Sequence, residues 1–110
     1  MNILQVNKGG TGSATSNILD TGDDSEKEVV FVSGGMVEFR DSPSYVKLQG
    51  SNNNSSWNDI KSYSFNVNGP FQGFGMNTEL IATSYRYLRI YLSNSNGGSN
   101  AKGAIVSNFK

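Results

Sequence analysis

The segment Tyr85-Arg86-Tyr87-Leu88-Arg89-Ile90-Tyr91-Leu92 decides the fold class that this sequence predicts. Its aliphatic residues recur at every second position, from Leu88 through Ile90 to Leu92. A period of two is that of a β-strand, in which successive side chains point to opposite faces. We therefore predict that these three residues face a core, and that the opposite face of the strand carries Tyr87, Arg89 and Tyr91.

The same pattern extends over the rest of the chain from Lys27 onward. Short runs of β-branched and aromatic residues are separated there by Gly, Asn, Ser and Pro, which is typical of a β-sandwich or barrel. Ser33-Gly34-Gly35 is predicted to be a tight turn, because glycine tolerates positive φ. Apolar residues do not recur with a helical period. The predicted fold class is all-β: a compact antiparallel β-sandwich with about seven or eight short strands. The predicted strands cover 27–32, 36–40, 45–50, 57–61, 63–67, 85–92 and 102–109, with Val46 and Leu48 facing the core.

The first quarter of the chain differs from the rest in composition. Residues 7–25 are rich in Gly, Ser, Thr and Asn, so we predict an extended N-terminal arm over 1–26 and a β-sandwich domain over 27–110. Ile3, Leu4 and Val6 are expected either to form an edge strand or to pair with a neighbouring subunit. The acidic stretch 23–26 lacks the ligand spacing of a calcium loop, and we interpret it as a solvated turn.

Composition excludes several functional classes. Nine basic residues balance nine acidic ones among 110, so we expect no nucleic-acid partner. The chain has neither cysteine nor histidine, which removes disulfides, thiolate chemistry and the commonest zinc ligand. No cofactor or metal is predicted. No apolar run is long enough to cross a bilayer, and the first residues do not resemble a signal peptide, so we expect no membrane association and synthesis in the cytoplasm.

Catalytic machinery is also not predicted. A glycosidase needs two carboxylates that face each other across a cleft. The carboxylates Asp41, Asp59, Glu38 and Glu79 lie beside predicted turns, with no pattern that brings them together. The sequence contains no nucleophile elbow or phosphate-binding loop. We therefore predict no catalytic residue and no enzyme activity.

Two segments resemble known families. The block over 46–60 (VKLQGSNNNSSWNDI) resembles a hairpin of discoidin-like and galactose-binding-like sandwiches, and 85–92 is similar to a later strand of those domains. In its compact form the same pattern resembles small bacteriophage virion proteins. The segment over 6–15 (VNKGGTGSAT) is similar to a Gly-Gly-Thr-Gly stretch of phage fibre proteins. The resemblance implies a sandwich of jelly-roll or discoidin-like type, whose ligand specificity depends on variable loops.

The virion resemblance implies a bacteriophage structural protein, made in the host cytoplasm. Its predicted role is that of a capsid decoration (cement) protein, a trimer that binds the major capsid protein on the outer capsid surface. Tyrosine and arginine are enriched at interfaces, and Phe71 and Phe74 lie in a glycine-rich loop that either folds over the open end of the sandwich or contacts a neighbour. The residues predicted to contact the capsid or another subunit are Ile3, Leu4, Val6, Phe71, Phe74, Tyr87, Arg89 and Tyr91.

The alternative function is a carbohydrate-binding module, or a tail-fibre or baseplate component that attaches to a cell-surface glycan. Its predicted glycan contacts are Asn53, Trp57 and Tyr87. Each has a simpler structural interpretation. Trp57 is favoured as an apolar plug over one end of the core. Asn53 suits a turn, and the outward tyrosines suit pairing with a neighbouring strand.

Overall fold

The computed structural model describes residues 2–37, 41–66 and 75–107. Two antiparallel sheets pack face to face in this part of the chain, as predicted. Sheet A has the strand order β1-β9-β4-β7, and sheet B has the order β2-β8-β5-β6, with β3 also pairing with β8. The strands are β1 (Asn2–Gly9), β2 (Gly12–Thr15), β3 (Leu19–Asp20), β4 (Lys27–Met36), β5 (Ser44–Ser51), β6 (Asn58–Phe65), β7 (Gly75–Thr83), β8 (Tyr87–Asn94) and β9 (Asn100–Ser107).

The core lies between the two sheets and follows the period-two pattern. Leu88, Ile90 and Leu92 of β8 are fully buried, which confirms their predicted orientation. Val46 and Leu48 lie beside them on β5, and sheet A contributes Val29, Phe31, Ile81, Ala101 and Ile105. Burial of each large aliphatic side chain stabilises the fold by about 1.5–3 kcal/mol.

The segment predicted as an arm lies within the sandwich. Asn2–Gly9 pairs along its full length with β9 in sheet A, and Gly12–Thr15 pairs with β8 in sheet B. Leu4 and Val6 pack against the core between the sheets, while Ile3 points outward. The prediction of an arm separate from the sandwich is therefore corrected, because alternate residues of this polar segment bury enough apolar surface to hold a strand.

The Gly-Gly-Thr-Gly motif over 9–12 forms the turn between β1 of sheet A and β2 of sheet B. It carries the chain from β1 in one sheet to β2 in the other, and both Gly10 and Gly12 have positive φ, at 79° and 115°. The amide of Gly10 donates to the carbonyl of Ser99 in the β8–β9 connection, at 3.0 Å. The motif thus has a conformational cause in this chain.

Ser33-Gly34-Gly35 is not a turn. β4 continues through it to Met36 and pairs with β7 on one side and β9 on the other. A Cβ at Gly35 would lie 2.7 Å from Phe65, so the glycine is needed for close approach of the sheets. The predicted hairpin over 27–40 is therefore wrong, although 38–40 lie outside the described residues.

The predicted break at Ser62 is also wrong, since β6 runs without interruption from Asn58 to Phe65. Leu48 pairs with Lys61 and Gln49 with Asp59, which leaves Ile60 as the extra residue of a bulge. The loop residues Phe71 and Phe74 lie outside the described residues. No helix in the described ranges is long and apolar enough to span a membrane.

Candidate functional site

The outer face of sheet B carries the densest set of aromatic and hydrogen-bonding side chains. Pairing of β5 with both β6 and β8 brings together residues from three strands on this face. Lys47 lies opposite Tyr91, and Gln49 lies opposite Arg89. We call this surface the polar face and define it by Tyr45, Lys47, Gln49, Trp57, Asp59, Tyr87, Arg89 and Tyr91.

A chain of polar contacts crosses the three strands. The ammonium of Lys47 donates to Asp59 Oδ2 at 3.1 Å, and the amide of Gln49 donates to Asp59 Oδ1 at 2.9 Å. The hydrogen bond from Gln49, followed by that from Lys47, lowers the pKa of the Asp59 carboxyl. Asp59 is therefore ionised at neutral pH, and it holds two neighbouring side chains in fixed positions.

Arg89 continues this chain to the tryptophan. Its Nε donates to Gln49 Oε1 at 2.8 Å, and its guanidinium lies 4.1 Å from the centre of the Trp57 ring. This cation–π contact holds Trp57 at the surface of sheet B, half-buried. The interpretation of Trp57 as a core plug is therefore wrong. Tyr85 instead packs on the core, directly against Gly50, where a Cβ would lie 2.4 Å from its ring.

A shallow pocket of about 200 Å³ opens beside the polar contacts. It is lined by Tyr45, Lys47, Tyr91 and Ser93. Tyr45 lies opposite Ser93 and Tyr91 opposite Lys47, so the two tyrosines occupy diagonal positions on adjacent strands. The pocket thus joins two aromatic rings to an ammonium and a hydroxyl.

The residues predicted from the sequence are dispersed over several surfaces. Tyr87, Arg89 and Tyr91 share the outer face of β8 as predicted, and the Arg86 guanidinium lies 5.0 Å from the Tyr87 ring. Asn53 lies in the β5–β6 turn, where its Oδ1 accepts from the amides of Ser55 and Ser56. That carbonyl oxygen is therefore used within the turn, and Asn53 is not part of the pocket.

The N-terminal residues divide between core and surface. Ile3 is exposed on the outer face of sheet A, on the opposite side of the molecule from the polar face. Leu4 and Val6 face the core, so their side chains do not form an outer surface. The strand-addition hypothesis now concerns the outer backbone edge of β1, which pairs with no strand but β9 among the described residues, rather than these two side chains.

The sequence interpretation missed Tyr45, Lys47, Gln49 and Asp59 as site residues. The alternation of 45–50 already places Tyr45, Lys47 and Gln49 on the face opposite Val46 and Leu48. What the pattern lacks is the identity of the neighbouring strands. Only the pairing of β5 with β6 and β8 brings Asp59, Arg89 and Tyr91 beside them.

Two of the carboxylates considered for catalysis lie in separate polar clusters. Asp59 belongs to the polar face, whereas Glu79 of β7 accepts from the hydroxyl of Tyr63 and lies 3.6 Å from Lys61 Nζ. Glu38 lies outside the described residues. Within ranges 2–37, 41–66 and 75–107, three or more histidine, cysteine or acidic residues do not meet at any point suited to a metal ion.

Solved structures of other proteins share the fold of this chain at low sequence identity. No family model matches the chain, and no curated protein sequence matches it. A carbohydrate-binding module of lichenase 5A from Cellvibrio mixtus, solved with cellotriose, aligns with a TM-score of 0.50 at 10% identity, over 94% of this chain and 78% of the module. A family 35 carbohydrate-binding module from Clostridium thermocellum aligns with a TM-score of 0.48 at 18% identity, over 98% and 90%. The mitogen of Yersinia pseudotuberculosis aligns with a TM-score of 0.48 at 11% identity, over 99% and 89%.

The Cellvibrio mixtus module and this chain share the all-β sandwich architecture. An identity of 10% extends the similarity to the fold and no further. A function must therefore be argued from the polar face itself.

Proposed function

We propose that this protein is a carbohydrate-binding module that holds an oligosaccharide on the polar face of sheet B. The observation that carries the proposal is the pocket that Tyr45 and Tyr91 line together with Lys47 and Ser93. In the proposed complex the two rings bind the sugar, and the polar side chains select its orientation. Small-molecule sites likewise combine aromatic side chains with a few polar groups that fix the orientation of the ligand.

The chemistry of the two tyrosines suits a sugar ring. One side of a pyranose presents C–H groups that pack on an aromatic ring, and tyrosine also offers a hydroxyl to hydrogen-bond a sugar oxygen. Diagonal neighbours on adjacent strands lie about 7–8 Å apart, which places both rings within reach of one disaccharide. Tyr45 is exposed and Tyr91 is half-buried, so both are accessible from solvent.

The polar network supplies the hydrogen bonds. Lys47 has three donor hydrogens and uses one toward Asp59, so its ammonium has donors left for sugar hydroxyls. The Asp59 carboxylate has further lone pairs that can accept from a sugar hydroxyl. Because Gln49 and Arg89 hold these groups in place, little side-chain entropy is lost on binding.

The fold similarity suggests a first probe. The Cellvibrio mixtus module was solved with cellotriose, a linear chain of glucose units. Our chain has formal net charge zero, which agrees with an uncharged oligosaccharide rather than a polyanion. Because the pocket is small and open, we expect weak binding.

Calorimetric titration with cellotriose, preceded by a glycan array that surveys other sugars, tests the proposal. Tyr91→Ala and Tyr45→Ala should each weaken binding about tenfold, since each removes a stacking ring. Ile18→Ala is the matched control, because it shortens another exposed apolar side chain outside the polar face. A blank array, or a ligand whose affinity is the same in both tyrosine variants, would contradict the proposal.

A further inference from the structure

The outer face of sheet A carries a row of apolar side chains that crosses all four strands. Ile3 pairs with Val106, Val106 with Val30, and Val30 with Leu80. Ile3 and Leu80 are 59% and 61% exposed. An antiparallel sheet with one face in water normally turns polar residues outward. The row is therefore an exposed apolar surface, and we call it the large row.

A second row runs parallel to the first, two residues further along β4. It is formed by Gln5, Ala104, Val32 and Thr78, which also pair across the sheet in that order. On β9 and β7 this row is shorter than the large row, with Ala104 in place of Val106 and Thr78 in place of Leu80. A groove of about 350 Å³ is lined by Gln5, Val32 and Ala104 of this row, together with Met76. We call this the small row. Neither row contains a formal charge.

Among the described residues of sheet A, the two charged residues of this outer face lie at opposite ends of the rows. Glu28 is next to the large row on β4, and it pairs with Ala82. Lys102 is next to the small row on β9, and it pairs with Gly34. About a midpoint at the level of Phe31, formal charge therefore changes from negative to positive along β4, and side-chain size decreases on β9 and β7.

We propose that this face binds the same face of a second copy about a twofold axis. The axis lies in the plane of the interface, perpendicular to β4 at the level of Phe31. Rotation about it reverses the strand direction and keeps each strand over its own counterpart. The large row of one copy then packs on the small row of the other, and Leu80 contacts the partner's Thr78.

The same rotation brings opposite charges near each other. Glu28 of one copy lies at the level of the partner's Lys102, on a strand displaced by about 4.8 Å, which a lysine side chain spans. Face-to-face sheets pack about 10 Å apart, so the side chains of the two rows interdigitate. With formal net charge zero, two copies do not repel each other at long range.

The size of the face agrees with a small dimer. Four strands about 4.8 Å apart and eight residues of about 3.3 Å each give a projected area of about 500 Å². Side chains raise the accessible area above this projection. The face thus reaches the lower end of specific interfaces, which bury about 600 Å² on each partner. We expect a concentration-dependent dimer.

Sedimentation equilibrium over a series of concentrations tests the proposal. The protein should pass from monomer to dimer as its concentration rises. Leu80→Lys and Thr78→Glu should each weaken the dimer about tenfold or more, because each places one charge against an apolar or uncharged side chain. Ile18→Lys adds the same charge as Leu80→Lys at an exposed apolar residue away from this face, and should leave the dimer unchanged.

Mixing the two variants tests the axis itself. In a heterodimer of Leu80→Lys with Thr78→Glu, the two introduced charges have opposite sign and face each other across the interface. The mixture should therefore dimerise more tightly than either variant alone. Circular dichroism checks that each variant keeps the β-sheet spectrum. A wild-type chain that stays monomeric to its solubility limit, a trimer, or a mixture no tighter than its components would overturn the proposal.

Discussion

The hydroxyl of Ser44 donates to Oδ1 of Asn94 at 2.7 Å, and both residues are buried. The amide of Asn94 donates in turn to the carbonyls of Lys8 and Gly10, at 2.8 and 3.0 Å. One side chain therefore joins the start of β5, the end of β8 and the turn that crosses between the sheets. It fixes how the two sheets meet at this end of the sandwich.

Replacement of Asn94 by alanine should lower the free energy of unfolding by about 2–4 kcal/mol, because it removes the partner of the buried Ser44 hydroxyl and the hydrogen bonds to two carbonyls. Urea denaturation monitored by circular dichroism measures the loss. Asn17→Ala, at an exposed residue between β2 and β3, is the control and should change little. A loss equal to that of the control would mean that water replaces the Asn94 side chain.

Gly103 sets the distance between the sheets. A Cβ there would lie 2.7 Å from Cγ2 of Ile90 and 3.2 Å from Cγ1 of Val46, both in sheet B. Gly103→Ala should therefore destabilise the fold by about 1–3 kcal/mol through overpacking. Thermal unfolding checks this against Gly97→Ala, where the nearest atom is 3.8 Å away. Equal melting temperatures for the two variants would show that the sheets separate freely to accommodate the methyl group.

Tyr63 gives the fold an alkaline pH dependence. Burial, together with the hydrogen bond to the Glu79 carboxylate and its charge, raises the pKa of Tyr63 from 10.0 to about 12. The folded pKa exceeds the unfolded one, so this contribution to stability is complete below pH 10 and is lost as the pH rises toward 12.

Tyr63→Phe should therefore be less stable than wild type by a constant amount below pH 10, and the difference should shrink as the pH approaches 12. Urea denaturation at a series of pH values measures it. Tyrosinate absorbance should show one tyrosine of the five titrating near 12, and Glu79→Gln should bring that titration to lower pH. A difference between wild type and Tyr63→Phe that does not change across this range would contradict the assignment.

The contact between Arg89 and Trp57 has a spectroscopic signature. Because the chain has one tryptophan, its fluorescence reports this ring alone. Arg89→Ala removes the guanidinium that covers the indole, so the emission maximum should shift to longer wavelength as water reaches the ring. Arg86→Ala, whose guanidinium lies over Tyr87, is the control. An unchanged maximum in Arg89→Ala would show that Trp57 is held by other contacts.

The sequence was sufficient to predict which residues face inward on the central strands. A period of two follows from backbone geometry alone, so Val46, Leu48, Leu88 and Ile90 were placed correctly. It was not sufficient to predict strand partners, because alternation is the same whichever strand lies alongside. The polar face needs β5 between β6 and β8, and that information is in the tertiary packing.

Glycine and tryptophan were misinterpreted for a related reason. Gly34-Gly35 fits either a turn or a close approach between backbones, and only the position of Phe65 shows that the second applies. Trp57 is apolar enough for a core, yet a cation on the outer face of β8 holds it. The capsid-decoration role, the trimer and the virion location stay predictions of the sequence resemblance, since no contact of the described residues bears on them.

The pairing of β1 with β9 also determines how the molecule responds to force. Asn2 lies opposite Ser107, so the first residue of β1 and the last residue of β9 are neighbours at one corner of sheet A. Tension applied through those two residues acts perpendicular to β1 and β9, so the hydrogen bonds between the two strands break one after another. The sandwich should yield at low force along this direction, and resist far better when it is held through the two ends of a single inner strand such as β8.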